Sequence, residues 1–293
     1  MFYDLLHMIY AHRYPVILGS LLIIIAGFTQ CGDPVSSGSG TLRVRITDAP
    51  FPYNFVRAVN VTISKIEIRP VGSSGFQTVE RVEQTFNLID LQDGRTDTLG
   101  TRQLAVGEYD ATRLIVTDVS IELLDGRVLA PAISDSIQAN GLVSLMVSPA
   151  QILDNQLTEL VIDFDLPRSL IAVGDISTSA GITDFIFTPT VRSVNLVTAG
   201  QITGLIKHDN RTPAEPIDDI PMRGLQLSLV QVGTSDTVSV VTDELGEYNA
   251  FFLPAGAYSI TTVPTDSTGA LSIPDVIVTT ANPTRQDALM DRK

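Results

Sequence analysis

The sequence has little of the side-chain chemistry on which most enzymes depend. Its 293 residues include one cysteine, three histidines and no tryptophan. A lone thiol cannot form an internal disulfide, a cysteine-rich zinc site or a redox pair. Two of the histidines, His7 and His12, lie near the N-terminus, which leaves His208 alone in the rest of the chain. A Ser-His-Asp triad or a histidine-based zinc site would need partners that the sequence lacks.

Positive charge is also scarce. The chain has 19 lysines and arginines against 33 aspartates and glutamates, which gives a formal net charge of −14. No basic stripe interrupts this balance, so phosphate backbones are repelled and nucleic-acid binding is not expected. The sequence also contains no phosphate-binding loop, dinucleotide-binding fingerprint or zinc-ligand spacing. We therefore predict a protein that is not an enzyme, with no catalytic residue, no cofactor and no bound metal.

The hydrophobic run near the N-terminus is too short to favour a membrane-spanning helix. It comprises the thirteen uncharged residues 16–28, which follow Arg13. As a helix, this run would span roughly 20 Å, short of the roughly 30 Å hydrocarbon core of a bilayer. The run is typical of the hydrophobic part of a signal peptide, which we place at residues 1–30.

Cys31 directly follows this segment, and a loose run rich in glycine and serine continues to Gly40. This arrangement resembles a bacterial lipoprotein signal followed by a flexible tether, residues 31–40. The resemblance implies that Cys31 is the lipid attachment site of a protein anchored in the cell envelope, with the outer membrane as its expected location. More than one acyl chain on the cysteine would hold the protein stably at a membrane. The alternative is a free or buried cysteine that follows an uncleaved anchor or an ordinary secretory signal.

The rest of the sequence favours strands and turns. It is rich in valine, isoleucine, threonine and leucine, which favour strands. The 21 glycines and 16 prolines of the chain are spread along the sequence, where they favour turns. We predict an all-β fold with two β-sandwich-like domains in tandem, residues 41–198 and 199–293. In the first domain, Leu42, Val44 and Ile46 alternate with polar residues, as in a half-buried strand. Further strands are predicted at residues 59–68, 76–80, 85–91, 113–123, 127–129, 160–166 and 185–197.

Three local features of the first domain are predicted in more detail. The apolar alternation shifts by one residue near Ser64 and Lys65, which indicates a β-bulge. Asp125 and Gly126 separate two apolar runs and tolerate positive φ angles, which predicts a hairpin with a type I′ turn. Pro189 interrupts the last strand, which places that strand at an edge or a bulge.

The second domain begins after a boundary at Ala199 and Gly200. Its strands are predicted at residues 202–206, 225–232, 238–242, 248–253, 258–262 and 276–279. Residues 104–109 and 253–258 echo each other, because each is a turn that leads into a strand with a tyrosine at its start, Tyr109 or Tyr258. The echo suggests a shared sandwich-like construction in the two domains.

Residues 40–197 contain a series of short motifs: Gly40-Thr41-Leu42, Thr47-Asp48-Ala49-Pro50, Asn87-Leu88-Ile89-Asp90-Leu91, Gly107-Glu108-Tyr109 with Arg113-Leu114, Asp163-Phe164-Asp165-Leu166 with Ser169, and Pro189-Thr190-Val191-Arg192. In their order and coverage, these motifs resemble a family of bacterial lipoproteins known as domain of unknown function 4382. The resemblance implies a cell-envelope setting, but it brings no established activity and no catalytic residue.

The last part of the chain contains three further motifs: Gly200-Gln201-Ile202-Thr203-Gly204, Thr242-Asp243-Glu244-Leu245-Gly246-Glu247-Tyr248 and Leu253-Pro254-Ala255-Gly256-Ala257-Tyr258. With them, residues 201–293 resemble the carboxypeptidase-regulatory-like, or prealbumin-like, β-sandwich modules that are appended to many exported bacterial proteins. This resemblance implies a second β-sandwich.

Asp163 and Asp165 are the strongest candidates for a metal site. They lie two residues apart in a predicted strand, so their side chains would project from one face and could share a calcium ion. We favour the alternative that this face is a polar surface exposed to solvent, on which neither residue binds metal.

The other polar residues singled out by the sequence are interpreted as loop and turn chemistry. His208, beside Asp209 in a polar stretch, is predicted to be a solvated loop residue. Asp90 with Asp93, and the pair at positions 218 and 219, are expected to shape turns.

We predict that the protein is a non-enzymatic, envelope-anchored lipoprotein that acts as a binding or adhesion module, with carbohydrate as a candidate ligand. Rigid sandwiches would hold recognition loops outward, at residues 48–54 and 207–223, although no ligand-binding residue is identified. The alternative is a structural or assembly subunit that binds an envelope protein, through edge-strand addition. A hydrolase is less favoured, because triad and metal motifs are missing. The expected partners are thus a membrane, through the lipid, and a polysaccharide or an envelope protein.

Overall fold

The computed structural model describes residues 38–51, 55–81, 83–209, 219–262 and 269–290. The predicted signal peptide, Cys31 and most of the predicted tether lie outside these residues. In the part of the chain that is described, no helix is long and apolar enough to cross a bilayer. The described chain consists mainly of strands, which confirms the predicted all-β fold.

The first β-rich region contains two sheets and a hairpin. Its strands are β1 (Ser39–Asp48), β2 (Val56–Pro70), β3 (Gln77–Glu80), β4 (Gln84–Asn87), β5 (Asp97–Ala105), β6 (Gly107–Leu123), β7 (Val128–Leu129), β8 (Leu142–Ile152), β9 (Leu157–Phe164), β10 (Leu170–Gly174), β11 (Ile182–Phe187) and β12 (Val191–Asn195). Its short helices are α1 (Asp135–Asn140), α2 (Leu166–Ser169) and the 3₁₀ helices Leu88–Leu91, Ser179–Gly181 and Leu196–Thr198.

The two sheets of this region share one hydrophobic core. One sheet has the order β12-β9-β1-β5, in which β1 runs parallel to β9 and the other pairs are antiparallel. In the other sheet, β2 pairs with β3, β4 and β6, and β6 also pairs with β7 and β8. Leu42, Val44 and Ile46 are fully buried, as their alternation predicts, and they join one cluster with side chains of the second sheet such as Val61 and Ile121. The strands β10 and β11 form a separate hairpin.

The second β-rich region has its own hydrophobic core, which includes Ile202, Leu229, Tyr248 and Tyr258. Its strands are β13 (Ala199–His208), β14 (Ile220–Pro221), β15 (Gln226–Gln231), β16 (Thr237–Val241), β17 (Glu247–Pro254), β18 (Gly256–Thr261), β19 (Ser272–Val278), β20 (Thr284–Arg285) and β21 (Ala288–Met290). β13 pairs with β14, β17, β20 and β21, and the other sheet has the order β16-β15-β18-β19.

The connection between the two regions is not a free hinge. Ala199 and Gly200, where we placed the boundary, are the first residues of β13 and pair with Pro254 and Leu253 of β17. A residue that is hydrogen-bonded into a sheet has little rotational freedom, so the chain enters the second region already fixed to it.

The hairpin between β6 and β7 is confirmed, but its turn is of another type. The amide of Gly126 donates to the carbonyl of Leu123, and the amide of Leu123 donates to the carbonyl of Arg127. Gly126 has a φ of +88°, whereas Asp125 is not among the residues with positive φ. The loop therefore has three residues, a tight turn followed by a left-handed glycine, which is the second common way to close a hairpin.

Other local predictions are partly confirmed. The register of β2 against β6 shifts between Ile63 and Lys65, as the predicted bulge requires. The predicted strand 85–91 ends at Asn87, because the chain then turns into a 3₁₀ helix. The predicted strand 185–197 is not one strand, because Pro189 lies in a break that separates β11 from β12 and places them in different sheets. The predicted interruption at Pro189 is confirmed, and β12 lies at the edge of its sheet, as predicted.

The echo between residues 104–109 and 253–258 has a structural counterpart. The hydroxyl of Tyr109 donates to the carbonyl of Ala105 at 3.1 Å, and the hydroxyl of Tyr258 donates to the carbonyl of Pro254 at 2.8 Å. In each case a buried tyrosine bonds back to the backbone four residues earlier, across the turn that it follows. This is the arrangement of a tyrosine corner, which fixes the connection between two strands of a sandwich.

Candidate functional site

Three separate motifs of the sequence meet at one end of the β12-β9-β1-β5 sheet. Because β1 and β9 are parallel, Thr47 lies opposite Asp163 at their C-terminal ends, and the antiparallel β12 brings Arg192 opposite Asp163 as well. Asp48 and Asp165 follow at the ends of the same two strands. The register of the sheet thus gathers three aspartates and an arginine where the first β-rich region meets the second.

Arg192 joins the two regions directly. Its guanidinium lies 2.5 Å from a carboxylate oxygen of Asp163, and the arginine side chain is almost fully buried. The same guanidinium donates to the backbone carbonyls of Phe252, at 2.6 Å, and Phe251, at 3.1 Å. Both phenylalanines belong to β17, so one side chain binds a carboxylate of one region and the backbone of the other.

Asp165 makes a second connection between the regions. Its carboxylate caps the N-terminus of α2 by accepting from the amide of Arg168, and it accepts at 3.1 Å from the amide of Ser239 in β16. Arg168 donates in turn to the carbonyl of Thr237, at 3.0 Å. Both ends of this short helix are therefore oriented by the second region.

Asp48 lies on the other side of the cluster. Its two carboxylate oxygens accept from the amide of Leu166 and from the side chain of Gln92, each at 3.3 Å. The neighbouring Thr47 donates to the carbonyls of Leu91 and Arg95, at 3.0 and 2.7 Å. These bonds tie the end of β1 to the turn that precedes β5.

The three aspartates are buried, and burial favours their protonated forms. Burial, reinforced by the charge of Asp163, raises the pKa of Asp48 well above its usual value. Burial also raises the pKa of Asp163, although the charge of Arg192 opposes this effect. Burial and the charge of Asp163 raise the pKa of Asp165 to about 6. Three carboxyl groups are therefore gathered in surroundings that disfavour their ionised forms.

A cavity of about 410 Å³ opens beside this cluster, at the junction of the two regions. Its lining combines apolar side chains of β8 with charged and hydroxyl groups: Leu145, Met146, Val147, Asp165, Arg168, Thr190, Val191, Arg192, Thr234, Ser235, Asp236 and Thr237. A concave surface with an apolar wall and a few convergent polar groups is typical of a ligand-binding site. We take this cavity as the candidate binding site and refer to it as the junction cavity.

A second cavity, of about 220 Å³, lies between strands β8 and β12. We refer to the line along which these two strands meet as the seam. Its lining includes Val147, Ser148, Ser193 and Asn195. The pairing of β8 with β6 is interrupted at this point. Leu145 pairs with Ala111 and Ala150 pairs with Tyr109, so residues 146–149 of β8 bulge out of the pairing. Such bulges commonly redirect side chains next to functional sites.

The interpretation of Asp163 and Asp165 as a solvent-facing pair is wrong. β9 is an interior strand, and the second region covers the end of it where Asp163 lies, so both carboxylates are buried. The two side chains also do not project from one strand face, because β9 ends at Phe164 and Asp165 is the N-cap residue of α2. Among the described residues, no three histidine, cysteine, aspartate or glutamate side chains are grouped as metal ligands.

The prediction that His208 is a solvated loop residue is also wrong. His208 is the last residue of β13, where it is buried and lies opposite Ile220 of β14 and Met290 of β21. Asp93, with a φ of +58°, does occupy a turn, as predicted, and Asp90 lies in the 3₁₀ helix just before it. Asp218, most of the predicted loop 207–223 and part of the loop 48–54 lie outside the described residues.

The residues that join the two regions are not identifiable from the sequence. Arg192 belongs to the motif Pro189-Thr190-Val191-Arg192, and no sequence pattern predicts a role for Arg168 or Ser239. The sequence does indicate that Arg192 lies just after Pro189, in an edge strand. Its carbonyl partners on β17 are about sixty residues away along the chain, and no local pattern indicates them.

These features define an all-β protein of two sandwich-like regions that are joined by a buried ion-pair network. The family model described as Domain of unknown function (DUF4382) matches residues 39–189, more than half of the chain. The chain therefore belongs to this family, as its motifs predict. No curated protein matches the sequence significantly.

Several solved structures resemble the chain weakly. The Bacillus anthracis TIE protein has 10% identity and a TM-score of 0.24 over 87% of this chain, and the chain spans only 34% of that protein. GBS52, the minor pilin of Streptococcus agalactiae, has 10% identity and a TM-score of 0.26, with 86% of this chain and 96% of the pilin covered. RrgB, the pilus backbone of Streptococcus pneumoniae, has 10% identity and a TM-score of 0.25, with coverages of 88% and 65%. TM-scores of this size carry no argument about function.

Proposed function

We propose that the protein is a non-enzymatic binding or adhesion module of the bacterial cell envelope, with its ligand held in the junction cavity. The observation that carries this proposal is the composition of the cavity: an apolar wall from β8 faces guanidinium, carboxylate and hydroxyl groups. Because Arg192 and Asp165 fix the two regions to each other, the cavity is formed before a ligand arrives. A preformed site loses less conformational entropy on binding.

The charged groups of the cavity support binding rather than catalysis. Arg192 is engaged with Asp163 and two carbonyls, and Asp165 is engaged with two amides. General acid–base catalysis requires a titrating group that can exchange a proton with the substrate. Asp165 has a pKa of about 6, but each of its two carboxylate oxygens already accepts a hydrogen bond from a backbone amide. Groups that are already bonded in this way are suited to holding a fixed shape.

Polysaccharide is the first ligand class to test. Hydroxyl and charged groups in the lining are the partners that sugar hydroxyls use, although the lining within the described residues includes no aromatic ring on which a sugar could stack. The test is retention of the protein, with Cys31→Ser to prevent acylation, on a panel of immobilised polysaccharides.

A matched pair of variants makes this test specific. Leu145 lines the junction cavity and is 67% exposed, whereas Leu245 is 64% exposed in a turn that lines none of the cavities described above. Leu145→Glu is expected to abolish retention, and Leu245→Glu to leave it unchanged. Retention that both variants keep would rule out the cavity as the site, and no retention on any polysaccharide would favour the alternative function below.

The alternative is an assembly subunit that binds an envelope protein by edge-strand addition. This is favoured by the seam between β8 and β12, which are outer strands of their sheets among the described residues, with a cavity between them. A photo-crosslinking residue at Val147 would then capture a protein in intact envelopes, while the same residue at Leu245 would not. An absence of adducts at Val147 would exclude the seam as a protein-binding edge.

The anchor is the third part of the proposal. We infer that Cys31 carries the lipid, that the protein is exported to the outer membrane, and that residues 199–293 are a carboxypeptidase-regulatory-like module. The motif around Cys31 and the sandwich formed by β13 to β21 support these inferences. Cells fed labelled palmitate should label the wild-type protein and not Cys31→Ser; a wild-type protein that stays unlabelled beside a labelled lipoprotein control would refute lipidation.

A further inference from the structure

Two adjacent phenylalanines lie side by side near the end of β17. Residues 251 and 252 together oppose the single residue 201 of β13, so the pairing of these strands contains a bulge. Neighbouring side chains of a regular strand point to opposite faces of the sheet. At this bulge, Phe251 and Phe252 border the same cavity, and their ring centroids are 6.1 Å apart.

The bulge holds Phe252 in an unfavourable backbone conformation. Its φ is +54°, in the left-handed region that glycine adopts without cost and a bulky side chain does not. Such strain persists only where the surroundings impose it, and it concentrates at functional sites. Here Arg192 imposes it, because its guanidinium binds the carbonyls of both Phe251 and Phe252. A glycine at position 252 would avoid the strain, so a phenylalanine there indicates a use for the ring.

The two phenylalanines line a cavity of about 240 Å³, which we call the phenylalanine cavity. Its polar side chains are those of Gln201, Thr279, Thr280 and Asn282, and the last three make no hydrogen bond with another described residue. Within the described part of the chain no charged side chain lines it, although the protein has a net charge of −14. The lining therefore suits a small neutral ligand with both apolar and hydrogen-bonding surface.

The phenylalanine cavity is one of three concave sites that follow one stretch of the chain. Residues 190–192 line the junction cavity, residues 193–195 line the second cavity at the seam, and residues 196 and 199–201 line the phenylalanine cavity. The chain from β12 to the start of β13 thus borders all three in turn. A polymer that follows this stretch contacts several of the cavities, whereas a compact ligand contacts one.

We propose that the phenylalanine cavity is a second subsite for a neutral polysaccharide, in which one sugar ring stacks on Phe252 while its hydroxyls bind the polar side chains beside it. A pyranose ring has an apolar face of C–H groups and a rim of hydroxyls, which matches an aromatic ring surrounded by uncharged polar groups. The inference rests on the proposed function, because it assigns a further sugar unit of the same polymer. Two weak subsites bind one polymer far more tightly together than either does alone, so strong retention requires both.

The test is calorimetric titration of the full chain, purified in a detergent without a sugar headgroup. The neutral probes are cellohexaose, maltohexaose and N-acetylchitohexaose, and the hexasaccharide of galacturonic acid is the charged control. We expect saturable binding of at least one neutral probe. The charged probe should not bind, because the protein is strongly acidic and the phenylalanine cavity offers no cation among its described residues.

Three variants locate the subsite. Phe252→Gly removes the ring and relieves the strain, so affinity should fall by about tenfold or more, the usual scale for one lost stacking contact, while the protein still unfolds in one transition. Phe252→Tyr keeps an aromatic face and should bind like the wild type. Asn155→Gly is the matched control, because Asn155 also has a left-handed φ, of +53°, and lines none of the three cavities. It should leave binding unchanged.

The outcomes distinguish this subsite from the junction cavity. Wild-type protein that binds no neutral probe, or that binds the galacturonic acid probe more tightly, overturns the inference. Wild-type affinity in Phe252→Gly also overturns it, even where Leu145→Glu loses binding and so upholds the junction cavity. Loss of binding in Phe252→Tyr or in Asn155→Gly overturns it too, because the ring would not be the cause. If Phe252→Gly loses binding and Leu145→Glu keeps it, the inference stands and the junction cavity is excluded.

Discussion

Glu67 is a buried carboxylate that, unlike Asp48, Asp163 and Asp165, lies between two positively charged side chains. It lies 3.0 Å from the ammonium of Lys65 and 2.5 Å from the guanidinium of Arg113. Arg113 also stacks over the ring of Phe76, at 4.3 Å. Burial alone would raise the pKa of Glu67, but the bonds from Lys65 and Arg113 outweigh it, so the pKa is lowered.

The sign of this shift sets a pH dependence. A carboxylate whose pKa is lower in the folded state stabilises the protein above the pKa of the unfolded chain, and this stabilisation is lost as the pH falls through the folded value. We expect Glu67→Gln to lower the free energy of unfolding by about 2 kcal/mol at pH 7, since the bonds it weakens are charge-assisted. Urea unfolding at pH 7 and pH 3.5 checks this. The difference in free energy of unfolding between the wild type and Glu67→Gln should be smaller at pH 3.5 than at pH 7. An equal difference at the two pH values would contradict this explanation.

At the scale of an element, the β6–β7 hairpin depends on one backbone conformation. Gly126 has a φ of +88°, and a side-chain carbon added there would meet no atom within 4 Å. Gly126→Ala should therefore destabilise through backbone strain alone, by about 1 kcal/mol. Gly75 is a useful control, because it is exposed, lacks a positive φ and would also meet only a distant contact. Gly75→Ala should leave the thermal midpoint unchanged or slightly raised; equal losses in the two variants would argue against the turn as described.

The same hairpin marks what sequence can predict about elements. Asp125-Gly126 between apolar runs was enough to place the turn, and the phase shift at Ser64-Lys65 was enough to place the bulge, because both depend on neighbouring residues. The turn type was missed, since two- and three-residue loops can both end in glycine. The alternation of apolar and acidic residues in β9 predicts an acidic face exposed to solvent, because alternation indicates only which side chains are polar. The burial of Asp163 depends on the second region, and the local pattern does not indicate where that region lies.

At the scale of the whole molecule, two hydrophobic cores are joined by a few polar contacts. Arg192 contributes two of these contacts, its bonds to the carbonyls of Phe251 and Phe252. Phe251 also packs so closely against the turn at Gly94 that a side-chain carbon added to Gly94 would lie 2.8 Å from the Phe251 ring. A junction of this kind couples the unfolding of one core to that of the other. The positions of the cores could be predicted from sequence patterning, but their coupling could not.

Calorimetry tests this coupling. The wild-type protein should unfold in one transition, with a calorimetric enthalpy equal to the van't Hoff enthalpy. Arg192→Met leaves Asp163 without its cation and should cost about 3 kcal/mol or more, splitting the transition into two. Arg223→Met, which removes an ion pair of mostly exposed side chains with Glu244, should keep one transition. A single transition in Arg192→Met would show that the regions are held together by other contacts.

The parallel pairing of β1 with β9 has a consequence for the order in which the protein can fold. Thr41 pairs with Leu157, so the first strand must wait for more than a hundred further residues before its central neighbour exists. Contacts so distant in sequence slow folding, and strand edges that stay open meanwhile are prone to aggregation. During synthesis, β1 is thus left with only β5 on one side, and the sheet that carries the aspartate cluster is among the last parts of the first region to be completed.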